Sequence, residues 1–107
     1  DVTIADDVCI SQGAYLCTGN HDWSDPSFGL IARPIHLHRG CWVGARALIG
    51  PGVTIGEHAI AAAGSVVSKN VPAFQIYSGN PAIFVRMRVL KPAVSTAIPE
   101  PALSGHQ

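Results

Sequence analysis

At 107 residues, 48% apolar and only 7% aromatic, the chain is sized for one small domain with an aliphatic core. Seven basic and seven acidic residues cancel, which excludes the strongly cationic face that nucleic acid or an anionic membrane surface demands. No apolar run is long enough to span a bilayer, no basic-then-apolar leader is present, and Cys9, Cys17 and Cys41 lack paired spacing. A soluble, cytoplasmic protein without a disulfide framework is expected.

From its start the chain divides into sixes: IADDVC, ISQGAY and LCTGNH, ending at His21. The register begins at Asp1 with no polar cap before Ile4, so a missing N-terminal part is expected, because solenoid ends need caps. The stretch GNHDWSDPSFG, Gly19 to Gly29, then breaks the rhythm and predicts a protruding loop over about 22–30. Seven further sixes follow: IARPIH, LHRGCW, VGARAL, IGPGVT, IGEHAI, AAAGSV and VSKNVP. Their first positions, with those before the break, are Ile4, Ile10, Leu16, Ile31, Leu37, Val43, Ile49, Ile55, Ala61 and Val67, all aliphatic.

The fourth position holds Asp7, Gly13, Gly19, Gly40, Gly52, His58, Gly64 and Asn70, with Pro34 and Arg46 as exceptions. Most of these residue types tolerate a positive φ, so a sharp corner is predicted in every six. A period of six does not fit an α-helix, and a meander of hairpins needs longer spacing. A parallel β-helix over residues 1–78 fits, with Cys41 as a small core residue. Beyond it, Gly79-Asn80-Pro81 predicts a turn, 82–90 a short helix or extended segment within a 79–91 unit, and 92–107 a disordered tail.

The stretch WVGARALIGPGVTIGEHAIAAAGSVVSKNVPAFQIYSGNPA resembles the hexapeptide-repeat acyltransferases. Within them the likeness is nearest to the colanic acid biosynthesis type, then to maltose, galactoside and nodulation O-acetyltransferases. The resemblance covers about 1–88 and implies an all-β, left-handed parallel β-helix with three sixes per turn. Residues three sixes apart would then stack, Trp42 near Ile60, Leu48 near Val66 and Thr54 near Pro72. Two outer faces are apolar, which agrees with the homotrimer of the family.

The resemblance also implies the chemistry: transfer of an acetyl group from acetyl-CoA to the hydroxyl of a sugar or exopolysaccharide precursor. His21, in a Gly-Asn-His-Asp stretch, matches the general base, a role to which histidine is suited as a residue type. Its position alone leaves a plain turn histidine open. Asn20, Asp22 and Trp23 are candidate acceptor contacts, while Asp22 and Asp25 could instead orient the imidazole. Asp25-Pro26 is also an ordinary turn pair. Phe28, like Trp23, could wall the cleft or pin the loop. By the same resemblance Gly44 and Ala45 supply an amide to the acyl carbonyl and Trp42 shapes the pantetheine groove. Ala63, Ser68 and Lys69 follow the coenzyme arm, and Arg86, with Arg88 beside it, meets its phosphates.

The resemblance also leaves a serine or amino-sugar acceptor open, since such enzymes use the same scaffold, and two other classes compete. A zinc site needs converging imidazoles, but His36 and His38 point outward from one strand and the His-x4-His spacing is absent, so no metal is expected. A non-catalytic scaffold would keep the repeat and use the loop for binding alone.

Overall fold

A computed structural model describes residues 1–92, and every regular element among them is a strand. The disordered tail expected over 92–107 falls, past Pro92, outside the described residues. None of the described residues forms a helix long and apolar enough to cross a membrane.

The strands in chain order are β1 (Val2–Ile4), β2 (Cys9–Ile10), β3 (Tyr15–Leu16), β4 (Gly19–His21) and β5 (Leu30–Ala32). Next come β6 (Ile35–Leu37), β7 (Trp42–Val43), β8 (Leu48–Ile49), β9 (Thr54–Ile55), β10 (Ile60–Ala61), β11 (Val66–Val67), β12 (Gln75–Gly79) and β13 (Ala82–Met87). All but β4 and β5 stack into three walls: β1-β6-β9, β2-β7-β10-β12-β13 and β3-β8-β11. Neighbours within a wall run parallel, apart from β12 and β13. Trp42 pairs with Ile60 and Leu48 with Val66, each partner standing three sixes further on, as the repeat requires.

Corner chemistry explains the repeat. Gly13, Gly40, Gly52 and Gly64 adopt positive φ at the fourth position, and Asp7, Arg46 and His58 do so at φ of 56–59°. Arg46 and His58 accept this strain because each amide bonds to the carbonyl of the coil before, Gln12 and Arg39 respectively. Inside, Leu37, Val43, Ile49, Ile55, Ala61 and Val67 are at most 1% exposed and form the core with Ile35, Cys41, Ala47, Val53, Ala59 and Val71. Burial pushes the Cys41 thiol up to about 11. At the first coil the same positions lie more open, Ile4 at 51% and Ile10 at 39%.

Two departures from the period matter. Val2 pairs with Ile35, a step far longer than three sixes, so the chain between β3 and β6 leaves the stack. It forms an antiparallel hairpin, β4 with β5, rather than a loop confined to 22–30. At the other end the last coil falls short of three sixes: Ile55 bridges Val71 and Ile60 pairs with Ile76. The expected neighbourhood of Thr54 and Pro72 is therefore wrong. The Thr54 amide instead donates to Asn70 Oδ1 at 2.8 Å.

The short helix expected within 79–91 is also absent. Ala82–Met87 is a strand antiparallel to β12. Ile83 and Val85 are β-branched and alternate with Phe84 and Arg86, a period-two pattern that suits an extended chain better than a helix.

Candidate active site

The hairpin carries His21 on its outgoing strand, opposite Leu30. The imidazole is exposed, yet its orientation is fixed: Nδ1 lies 2.8 Å from the Phe28 carbonyl oxygen. A carbonyl only accepts, so Nδ1 carries the hydrogen and Nε2 is left with a free lone pair. The His21 amide donates to Asn20 Oδ1 at 2.8 Å, which ties His21 to its neighbour.

The returning strand is braced from the hairpin tip. Asp25 Oδ1 accepts from the Ser27 amide at 2.9 Å and hydroxyl at 2.8 Å, while Oδ2 accepts from the Gly29 amide at 3.3 Å. Asp22 Oδ1 accepts from the Ser24 hydroxyl at 2.6 Å and amide at 3.0 Å. These bonds hold both carboxyls below their ordinary titration range, chiefly through the Ser24 hydroxyl at Asp22 and the Ser27 amide at Asp25. Phe28 sits at φ 53°, and that left-handed turn aims its carbonyl back at the imidazole. The orienting acceptor is thus a backbone oxygen, not Asp22 or Asp25. Sequence reasoning missed Phe28 in that role, because no side chain announces it.

Trp23 stands at the tip, 88% exposed. His21, Leu30, Cys17 and Asn20 border one groove of about 380 Å³. Asn20 also borders a second, of about 280 Å³, that runs beneath the hairpin to Ser68.

A third groove, of about 290 Å³, lies on another edge of the prism. Trp42, Gly44 and Ala45 line it, as the sequence grouped them, together with Ser11, Ile60 and Ala63, which the sequence sets instead with Ser68 and Lys69. Trp42 is fixed by its Nε1 donating to Ser11 Oγ at 2.8 Å. Gly44 is required by the stacking itself, since a Cβ there would come within 2.5 Å of the Ala63 nitrogen. Small side chains leave backbone reachable. The Ala45 and Ala63 amides donate to no backbone carbonyl among the described residues. A narrow apolar slot with two unused amides suits a pantetheine arm, which is a chain of methylenes and amides.

Ser68 and Lys69 lie two coils from the hairpin on its own edge, where they meet Tyr77, Ile83 and Phe84. Arg86 is exposed on β13, opposite Ile76. Arg88 is committed elsewhere: its Nη1 donates to the Gly40 carbonyl at 3.0 Å and to the His58 carbonyl at 3.2 Å, clamping two corners. The structure therefore brings Trp42, Gly44, Ala45 and Ala63 together, and His21 with Asn20, but the two groups occupy different edges of one chain.

Residues 34–69 match the family model for the bacterial transferase hexapeptide, six repeats. Over 89 residues the chain is 42% identical to an Escherichia coli (strain K12) protein named for colanic acid biosynthesis acetyltransferase activity, WcaF, covering 83% of this chain and 49% of that one. A hexapeptide-repeat acetyltransferase of Vibrio cholerae superimposes with TM-score 0.76 at 33% identity, over 80% of this chain and 51% of that one. Its complex with acetyl coenzyme A superimposes with TM-score 0.68 at 25% identity, over 80% and 60%. A maltose O-acetyltransferase of Clostridium difficile 630 gives 0.77 at 28% identity, over 84% and 50%. The chain spans about half the length of the curated relatives it matches.

Proposed function

The chain belongs to the hexapeptide-repeat transferases, proteins built on a left-handed β-helix, and on that premise we propose that it is an acetyl-CoA-dependent O-acetyltransferase acting on a sugar hydroxyl. The observation that carries this reading is the imidazole of His21, held through Nδ1 with Nε2 free on an exposed hairpin. In this mechanism Nε2 takes the proton of the acceptor hydroxyl as its oxygen attacks the thioester carbonyl. The Phe28 carbonyl stabilises the imidazolium through Nδ1–H. The Ala45 amide meets the oxyanion, and His21 returns its proton to the departing thiolate. The transfer is direct, and no residue is acylated.

The relatives support the substrates: acetyl coenzyme A bound to the Vibrio protein, maltose in the name of the Clostridium enzyme. Asn20, Asp22 and Trp23 are the proposed acceptor side. Of these, Asp22 acts through hairpin shape, because Ser24 occupies its Oδ1. Trp42, Gly44, Ala45 and Ala63 are the proposed thioester side, with Ser68 and Lys69 along the coenzyme arm and Arg86 toward its phosphates.

Because the two sides occupy different edges, the site closes only between neighbouring copies, and a homotrimer is the assembly we propose. The test is acetyl-CoA consumption with a panel of sugars, comparing the chain with its His21→Ala variant, alongside light scattering for mass. Sugar-dependent release of free thiol that His21→Ala abolishes is expected, from a species of three chains. An unchanged rate in the variant would remove His21 as base, and no transfer to any sugar would favour a scaffold.

A further inference from the structure

The edge that bears the hairpin also bears charge that no described residue answers. Arg33 follows β5 directly, and its amide prolongs the ladder by donating to the Thr18 carbonyl at 2.9 Å. By the alternation of strands, Arg33 shares one face of the hairpin with Asn20 and Ile31, whereas His21 and Leu30 share the other. Asn20, Ile31 and Arg33 roof the groove floored by Gly50, Pro51 and Ser68. The arginine stem rests on the corner below, its Cδ 3.4 Å from where a Cβ on Gly52 would stand.

Among the described residues the only ion pair joins Arg39 to Asp7 at 3.5 Å, on a different corner. No described side chain bonds to the Arg33 guanidinium, and no carboxylate lines its groove. The groove offers three donors: the guanidinium, the Ser68 hydroxyl and the amide nitrogen of Asn20, whose oxygen accepts from the His21 amide. Lys69, beside Ser68, adds a second cation on the same edge of a chain with zero net charge. A groove of donors around an unpaired planar guanidinium selects an anionic oxygen group, which it can grip with two parallel hydrogen bonds.

Asn20 borders this groove and the one holding His21, so the two meet across a single residue. We propose that Arg33 determines acceptor specificity by pairing with a carboxylate or phosphate on the acceptor whose hydroxyl meets His21. The inference rests on the reading of His21 as base. The coenzyme's own phosphates are less suited to Arg33, because they lie at the far end of the pantetheine arm from the reacting thioester.

The test compares glucose, glucuronate and glucose 1-phosphate as acceptors for the full chain, for Arg33→Gln and for Arg33→Lys. A charged probe is expected to exceed glucose in kcat/KM by about ten- to a hundredfold, the effect of one charge-assisted pair. Arg33→Gln should lose that advantage through the acceptor KM, and Arg33→Lys should keep part of it. Whether glucuronate or the phosphate leads identifies the anion. A preference that survives Arg33→Gln overturns the proposal, as does a loss confined to the acetyl-CoA KM.

Binding is read separately from turnover, by the Arg33 Nε–Hε resonance. It should shift with the charged probes and not with glucose. Failure of all transfer, with these shifts intact, breaks the catalytic reading but sustains the anion site; absence of the shifts overturns the site itself.

Discussion

The regular coils from Ile35 to Val71 and the hairpin from Gly19 to Ala32 are built on opposite terms. The coils bury their aliphatic residues almost completely and direct their hydrogen bonds to backbone neighbours one turn away. The hairpin buries almost nothing, with Trp23, Phe28 and Leu30 all more than 60% exposed, and is held by side chains bonding their own backbone. A region with no core can still be well defined when its polar groups are satisfied locally. The difference teaches a division of labour: the coils supply free energy of folding, and the hairpin supplies a positioned imidazole.

The sharpest way to break that division is His21→Ala. Transfer should fall by about 10²- to 10⁴-fold, the usual contribution of a general base, while the melting temperature holds. A variant that loses stability instead would make His21 a structural residue. Conversely, Ile55→Ala removes a fully buried side chain and should cost about 2–5 kcal/mol in denaturant unfolding. Trp23→Ala should cost under about 0.5 kcal/mol in the same measurement. Equal losses would mean that the hairpin tip packs as the coils do.

Asp25→Ala is a finer test, because it removes the acceptor for Ser27 and Gly29 without touching the imidazole. Hydrogen exchange should quicken at those amides, and kcat should drop about tenfold as the Phe28 carbonyl loses its aim. Unchanged exchange would show that the ladder alone sets the hairpin.

The smallest effect concerns pH. The carboxyls of Asp22 and Asp25 titrate below their ordinary range, so their bracing is present above that range and is lost as pH falls through the lowered values. The Ser24 and Ser27 amide shifts should therefore move only in acid below the normal carboxylate range. Movement at or above it would contradict the bracing.

Much of the coil region was legible, because first-position aliphatics and fourth-position corners repeat at a spacing that no other element can satisfy. The grouping of Trp42, Gly44 and Ala45 was legible through the family resemblance, while Ala63 was set with Ser68 and Lys69, from which the structure separates it. The hairpin was not. Its ladder from Gly19 to Ala32 is short, pairing Gly19 with Ala32, Asn20 with Ile31 and His21 with Leu30, and it shows no alternation of apolar and polar residues. A signal was nevertheless present: Asp22-Trp23-Ser24 and Asp25-Pro26-Ser27 are two successive Asp-x-Ser units, each able to close its own turn. Phe28 as partner of the imidazole had no such signal, since any residue has a carbonyl. At Ala82–Met87 the sequence left a short helix and an extended segment open, and the strand realises the extended one.

Strand β13 has a further consequence. A stack of parallel coils is a template that copies its own direction, and each finished turn offers the next an edge of the right polarity. At β13 the direction is reversed. A further coil meeting that wall end-on would pair antiparallel to β13 instead of extending the parallel ladder. The reversed strand thus ends the parallel register of this one wall at β12, and an edge strand there no longer copies the direction of the coils.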